Sequence, residues 1–290
     1  MNSFLLFLTA CIWGSAFVAQ SVGMDFVEPF TFTFARSIIG GLVLIPCIPF
    51  LRRLRHEKRT GITKVEWIGG LLCGVALFAA SNMQQLGIVH TTVGKSGFIT
   101  ALYVVIVPIM GIFLRKKMPK IIWLCVALSV VGLYLLCMTG ESFSLNYGDL
   151  LTLICAILFS VHILIIDYYS PKGDGVVISC IQFFTCGVLS AIVMFFAETP
   201  NVTNILAAKW PILYAGVLSS GVAYTLQVVA QKNVNPTVAS LILCLESVVS
   251  AIAGWLILHE TLTARELLGC SLMFIAIVLA QVPMPERKKV

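Results

Sequence analysis

Apolar runs of roughly 20 residues recur along the whole chain, and that repetition constrains the fold more than any single motif does. Each run is long enough to cross a hydrocarbon core ~30 Å thick at ~1.5 Å per helical residue. Ten spans can be read: 3–23, 29–51, 66–88, 91–114, 120–139, 148–169, 175–197, 209–231, 236–258 and 265–283. The connections are short, so no stretch is left to build a soluble domain. With 59% hydrophobic and 11% charged residues and a mean hydropathy of +1.00, the chain lies outside the range of soluble globular domains. The expected class is an all-α integral membrane protein. The first run lacks a basic leading segment and a small-residue cleavage site, so it reads as a retained helix rather than a signal peptide.

The net charge of +6 alone would suggest an acidic partner, but the placement of the cations points to topology. With the N-terminus in the cytoplasm, the cytoplasmic loops and tail hold Arg52, Arg53, Arg55, Lys58, Arg59, Lys64, Arg115–Lys117, Lys120, Lys172, Lys232 and Arg287–Lys289. The opposite side holds Lys209 and Arg265. This bias places both termini in the cytoplasm. The run from Arg52 to Lys64 therefore reads as a topology signal against the lipid bilayer, and no nucleic-acid partner is expected. The 10 cysteines all fall inside spans and none forms a CxxC pair, so they read as small apolar side chains with no metal site.

The spans divide at 141–148 into two sets of five, giving a first repeat over 1–140, a second over 148–283 and a basic tail over 284–290. At an offset of 145, Trp13-Gly14-Ser15 falls on Leu158-Phe159-Ser160. At 143, Gln84 falls on Gln227 and Gly111 on Gly254, and MGIFLRKKMPKIIW falls on AGWLILHETLTARE. An odd number of spans per half forces the second half to enter the membrane inverted. Secondary transporters built this way hold substrate between the halves near the midplane.

Four stretches carry a more specific likeness: TACIWGSAFVAQ, FARSIIGGLVLIP, GFITALYVVIVPIMGIFLRKKMP and LESVVSAIAGWLILHETLTARELLGCSLMFIAIVLAQ. Together they resemble the EamA family of the drug/metabolite transporter superfamily, in two repeats over essentially the whole chain. The acidic turn that the family writes as GE is His259-Glu260 in the second repeat, whereas the first departs from it with Lys116-Lys117. The resemblance implies a ten-helix transporter, commonly an exporter of small metabolites, with no bound cofactor.

Glu246 is the most conspicuous candidate residue. It lies ten residues past Pro236, ~15 Å into the bilayer, where a charge costs at least ~2.5–3.5 kcal/mol. It must face the protein interior, where Ser240, Leu243, Ser247, Ser250 and Gly254 form a small, polar-tinged stripe. It is either a substrate or proton site or a structural carboxylate tying helices together. Lys95, entering the fourth span, can snorkel or pair with Glu246. Arg36 in the second span requires backbone carbonyls, a carboxylate or an anionic substrate, and Gln182 lies near the matching position of the second half.

Gln84, Gln85 and Gln227, with Asn82 and Tyr224 nearby, either line a hydrogen-bonding pore or bond neighbouring helices. His162 is a proton relay with Glu246 or a histidine bonded to a backbone carbonyl. Trp13, Tyr103 and Trp255 stack on substrate or pack, while Trp67, Trp123 and Trp210 fit interfacial belts. Gly70 and Gly74 form a GxxxG packing face, and Pro108 is expected to bend the fourth span. Asp25, Glu28, Glu141 and Glu198 read as solvated loop charges.

No HExxH, P-loop or GxSxG motif occurs. The expected function is secondary transport, with amino acids or related small metabolites exported by alternating access, driven by proton exchange or running down their own gradient. The rival is a membrane-embedded sensor or enzyme on the same bundle, which requires a signalling domain or catalytic cluster that the sequence does not display. Oligomeric state is not encoded in these patterns.

Overall fold

The computed structural model describes residues 2–54, 61–91, 93–114, 119–137, 146–257 and 263–281, with the backbone alone at 54, 93–95, 136–137, 253–257 and 281. Among these residues the chain is helical, with no strand. The first half runs through α1 (Asn2–Met24), α2 (Pro29–Leu54), α3 (Lys64–His90), α4 (Val93–Ala101), α5 (Tyr103–Phe113) and α6 (Lys120–Cys137). The second begins with α7 (Tyr147–Tyr169), α8 (Gly175–Ala197), the short α9 (Val202–Ala207) and α10 (Lys209–Leu213). A π-helical stretch, Tyr214–Tyr224, leads into α11 (Thr225–Gln231), followed by α12 (Pro236–Leu243), α13 (Glu246–Ile257) and α14 (Ala264–Gln281).

Seven stretches are long and apolar enough to cross a membrane, and Lys120–Leu135 and Pro236–Ile252 are apolar but shorter. These two shorter pieces are the expected fifth and ninth spans, and α14 is the expected tenth.

Helix starts follow from local side-chain chemistry. Thr63 and Glu66 close a capping box on α3, as do Asn146 and Asp149 on α7. Asp174 caps α8, and Asn235 caps α12 ahead of Pro236. Each supplies an acceptor to a backbone N–H that the first helical turn leaves unpaired.

Two spans that the sequence presents as continuous are broken. The fourth breaks at Leu102 and the ninth at Cys244-Leu245, where Leu102 N–H reaches back three residues to Ile99 O (3.2 Å) and Leu245 N–H to Ile242 O (3.2 Å). Pro108, the residue expected to bend the fourth span, lies inside α5, past the break at Leu102. The residues that resume the helices are Tyr103 and Glu246, and 246 − 103 = 143, the separation that relates Gln84 to Gln227.

The halves interlock rather than sit side by side. Helix α3 packs on α7 and α8, α2 on α8 and the π-helical stretch, α6 on α14, and α1 on α13. Gly74 permits one of these contacts, because a Cβ there would meet Thr185 Cβ at 2.5 Å and Gln182 O at 2.8 Å. The GxxxG face is thus used within the molecule, against α8. Glu198, expected to be solvated, instead bridges the halves. Its carboxylate accepts from Phe30 N, Thr31 N and Thr31 Oγ1, all at 2.7 Å, at the start of α2. Four carboxylate lone pairs facing the unpaired N–H groups and positive end of a helix explain why it is held. At the other end of α2, Arg52 pairs with Asp174 (3.6 Å), and Glu66 accepts from Asp174 N (2.8 Å).

Candidate functional site

A cavity opens where α1, α2, α3, α5, α7, the π-helical stretch, α11 and α13 meet. Its walls include Trp13, Arg36, Gln84, Tyr103, His162, Tyr224, Gln227 and Glu246. A water-sized sphere can move within about 40 Å³ of it, room for a few waters.

The breaks in the fourth and ninth spans build its centre. Glu246, the first residue of α13, is 6% exposed and Tyr103, the first residue of α5, is 4% exposed. The Tyr103 hydroxyl donates to Glu246 Oε1 at 3.0 Å. Two residues at the same place in the two halves therefore bond each other across the cavity. Helix α1 fixes this corner from behind: a Cβ on Gly14 would lie 2.5 Å from the Glu246 carbonyl and 2.7 Å from Val249 Cβ. Only glycine lets α1 approach the start of α13 this closely.

Arg36, 5% exposed, projects from α2, where its Nη1 donates to Gln20 Oε1 (3.2 Å) and its guanidinium lies 5.9 Å from the Phe32 ring centroid. The expected backbone-carbonyl partner gives way to a side-chain amide on α1, and that bond uses one of five donors. His162 likewise bonds a side chain rather than a backbone carbonyl, with Nε2 3.1 Å from Gln182 Oε1 on α8. Its ring stands edge-on to Tyr224 at 6.0 Å, and Tyr224 also lies 4.4 Å from Trp13 between ring centroids.

Gln84 Nε2 donates to Thr100 Oγ1 at 3.4 Å. Gln227 Oε1, Trp13 Nε1, His162 Nδ1 and Gln182 Nε2 are buried without a partner. Trp13, His162 and Gln227 line the cavity, so three of these four atoms belong to wall residues with hydrogen-bonding capacity left to use.

One sequence candidate stands apart, and two lie where the side chains are not described. Gln85 is buried but faces away from the cavity, its amide donating to Met24 Sδ at 3.4 Å. The side chains of Lys95 and Trp255 lie outside the described residues, and with Lys95 the expected Lys95–Glu246 pair.

Sequence reading missed Phe17, Gln20, Thr100, Phe159, Ile163 and Ser219 on the walls, and it placed Leu243 on the inward face of its helix without assigning it to a site. Repeat separations pointed to several of them. Trp13 and Phe159, Phe17 and Ile163, and Arg36 and Gln182 are each 146 apart, and Thr100 and Leu243 are 143 apart. The apolar members carried no signal of their own, because an aromatic or aliphatic residue in a span is unremarkable.

The sequence model of the EamA-like transporter family matches residues 2–138 and again 146–281. A protein of Archaeoglobus fulgidus described as an uncharacterized transporter is 31% identical over 278 residues, covering 94% of this chain and 83% of its own length. The S-adenosylmethionine/S-adenosylhomocysteine transporter of Chlamydia muridarum is 22% identical over 298 residues, covering 94% of this chain and 92% of its own. An uncharacterized inner membrane transporter of Escherichia coli (strain K12) is 24% identical over 286 residues, covering 94% and 88%. One crystal structure of another protein shares the fold with a TM-score of 0.80 at 17% identity, over 97% of this chain and 98% of that one.

Proposed function

The chain belongs to the EamA-like transporter family, and we propose that it is a secondary transporter that exports small organic metabolites, amino acids foremost, across the cytoplasmic membrane. It is a multi-pass membrane protein, with seven apolar stretches among the described residues long enough to cross a membrane. The observation that carries the transport reading is the cavity: a buried arginine and a buried glutamate share it with amides, a phenol and an imidazole from both repeats. Ionisable groups within apolar helices are expensive to bury and concentrate along substrate pathways.

In this reading α6, the α12–α13 pair and α14 complete five spans per repeat. The second repeat then runs inverted, both termini lie in the cytoplasm, and the cavity falls at the midplane between the repeats. The charge placement in the loops supports that topology. Room for a few waters does not admit an organic molecule, so transport requires the walls to part. The breaks at Leu102 and Cys244-Leu245, both beside lining residues, supply that freedom without unmaking a continuous helix. Amino-acid chemistry draws support from the Chlamydia muridarum relative, whose two named substrates each carry an α-amino-acid group. Net export runs by exchange against protons or down the substrate's own gradient.

The test is counterflow in liposomes reconstituted with the purified protein, against labelled amino acids, nucleosides and drugs at two pH values. Exchange of an amino-acid-like compound above protein-free liposomes is expected. Absence of exchange across the panel overturns the transport reading. Unchanged pH-gradient-driven uptake in Glu246→Gln excludes proton coupling through that residue.

A further inference from the structure

Two buried ionisable groups, one a base and one an acid, share the cavity without meeting. Arg36 comes from the second helix of the first repeat and Glu246 from the broken ninth span of the second, and both line the same space. Among the described residues neither takes part in an ion pair, whereas Arg52 and Asp174 do at 3.6 Å. Instead each charge is held by a neutral group of its surroundings, Arg36 by Gln20 and Glu246 by Tyr103. Holding both groups charged in a cavity with room for only a few waters is costly to the protein alone. The cost is recovered when a ligand brings the complementary charges, and an empty site that kept the two in contact would have to break that pair first.

We infer that Arg36 and Glu246 are the two poles of the substrate site, taking the anionic and the cationic end of one zwitterion, and that the substrate's ammonium displaces the Tyr103 hydroxyl from Glu246. This rests on the transport reading and adds a fixed orientation to it. Guanidinium is suited to a carboxylate because its planar donors meet both oxygens, and the bond to Gln20 leaves donors free. Glu246 has acceptor capacity beyond the one bond from Tyr103. Trp13, Phe159 and Tyr224 add apolar and aromatic surface to the same cavity, which fits a zwitterion carrying an apolar side chain.

Tyr103 is the positioning residue. It keeps Glu246 hydrogen-bonded while the cavity is nearly closed, and its bond spans the two helix breaks. An ammonium brings a full opposite charge to the carboxylate where the Tyr103 hydroxyl brings only a dipole, so exchange of the one bond for the other is favourable. Arrival of the cation thus releases the contact that holds the breaks together, linking substrate binding to the parting of the walls.

The experiment uses the full-length protein in liposomes and the protein amino acid that it exchanges best. Counterflow of the labelled compound is competed with its amide, which keeps the ammonium and loses the carboxylate, and with its N-acetyl derivative, which does the reverse. In the wild type both derivatives should compete at least about tenfold more weakly than the parent. Glu246→Gln should weaken the parent about tenfold or more and leave the N-acetyl derivative unchanged, while Arg36→Gln weakens the parent similarly and leaves the amide unchanged. Tyr103→Phe should tighten the parent about threefold, because the competing hydroxyl is gone. Glu246→Asp and Arg36→Lys, which keep the charges, should recover part of the loss, separating charge reading from misfolding.

Derivatives that compete as well as the parent overturn the inference. So does a Glu246→Gln variant that weakens both derivatives alike, or a Tyr103→Phe variant that binds the parent more weakly. Exchange of nucleosides or drugs with no amino acid exchanged defeats the two-pole assignment and leaves the transport reading standing. No exchange of any compound defeats both.

Discussion

The two repeats present the same stations to the cavity and fill them with different chemistry. In the first, α1 and α2 supply a Gln20–Arg36 bond, and the resumed fourth span supplies Tyr103. In the second, α7 and α8 supply a His162–Gln182 contact, and the resumed ninth span supplies Glu246. Gln84 and Gln227 keep the same residue at one station. Backbone position has been retained where side-chain charge has diverged. A duplicated scaffold with identical linings would present a symmetric, neutral cavity, whereas this one carries its cation in one repeat and its carboxylate in the other. Polarity along the cavity is therefore a property of the difference between the repeats, and it can be tested by altering one repeat at a time.

The largest expected effect comes from the paired station on the second helix. Arg36→Ala should lower exchange by about a hundredfold, since it removes charged hydrogen bonds, and Gln182→Ala by less than about tenfold, since it removes a neutral one. Moving the cation, with Arg36→Gln and Gln182→Arg together, should restore part of the loss if the stations are equivalent in space. A double variant no better than Arg36→Gln alone breaks the comparison.

Next is Gly14→Leu, which drives a side chain into the backbone at Glu246 and Val249. Overpacking of this kind costs about 1–3 kcal/mol, visible as a lowered melting temperature of the detergent-purified protein, and exchange should fall because Glu246 moves. A variant with wild-type melting and exchange would show that α1 does not set the position of that carboxylate.

A smaller effect distinguishes the two acids that link α2 to the end of α8. Glu198→Ala removes three hydrogen bonds at the start of α2 and should cost about 1–2 kcal/mol, the size of a lost helix cap. Glu28 is exposed and accepts a single bond from Thr199 N at 3.2 Å, so Glu28→Ala should stay within about 0.5 kcal/mol. Unfolding of both variants in the same detergent checks the ranking, and equal losses would remove the distinction.

The smallest effect is expected off the cavity. Gln85→Met should leave exchange within about twofold of wild type, and stability unchanged or slightly higher, because it replaces an amide whose buried oxygen has no partner with an unbranched apolar chain of similar length. Loss of exchange in this variant would extend the site beyond the cavity walls.

Much of this architecture was legible beforehand because lipid imposes a coarse rule. A segment that must satisfy its own backbone over ~30 Å has to be a long apolar helix, so spans and polar exceptions both stand out in the sequence. Arg36, His162 and Glu246 were visible for that reason, and the pairing of Gln84 with Gln227 was visible because both halves share one pattern. Glu198 was misread because a carboxylate just past a helix end looks the same whether water or another helix's N-terminus receives it. The helix breaks were hidden as well: FITALYVVIV and LILCLESVVS carry no glycine or proline at Leu102 or Cys244.

The sequence by itself determined the membrane class, the two-repeat plan, and the identity of most of the polar residues that line the cavity, because burial cost and helical periodicity act locally along the chain. Only the tertiary structure decided the partners. That Tyr103 meets Glu246, that Arg36 is held by Gln20, and that Gln85 turns away from the cavity while Gln84 lines it all depend on contacts between helices. Those contacts are set by close packing at Gly14 and Gly74 and by register across helix interfaces, quantities that no single segment carries.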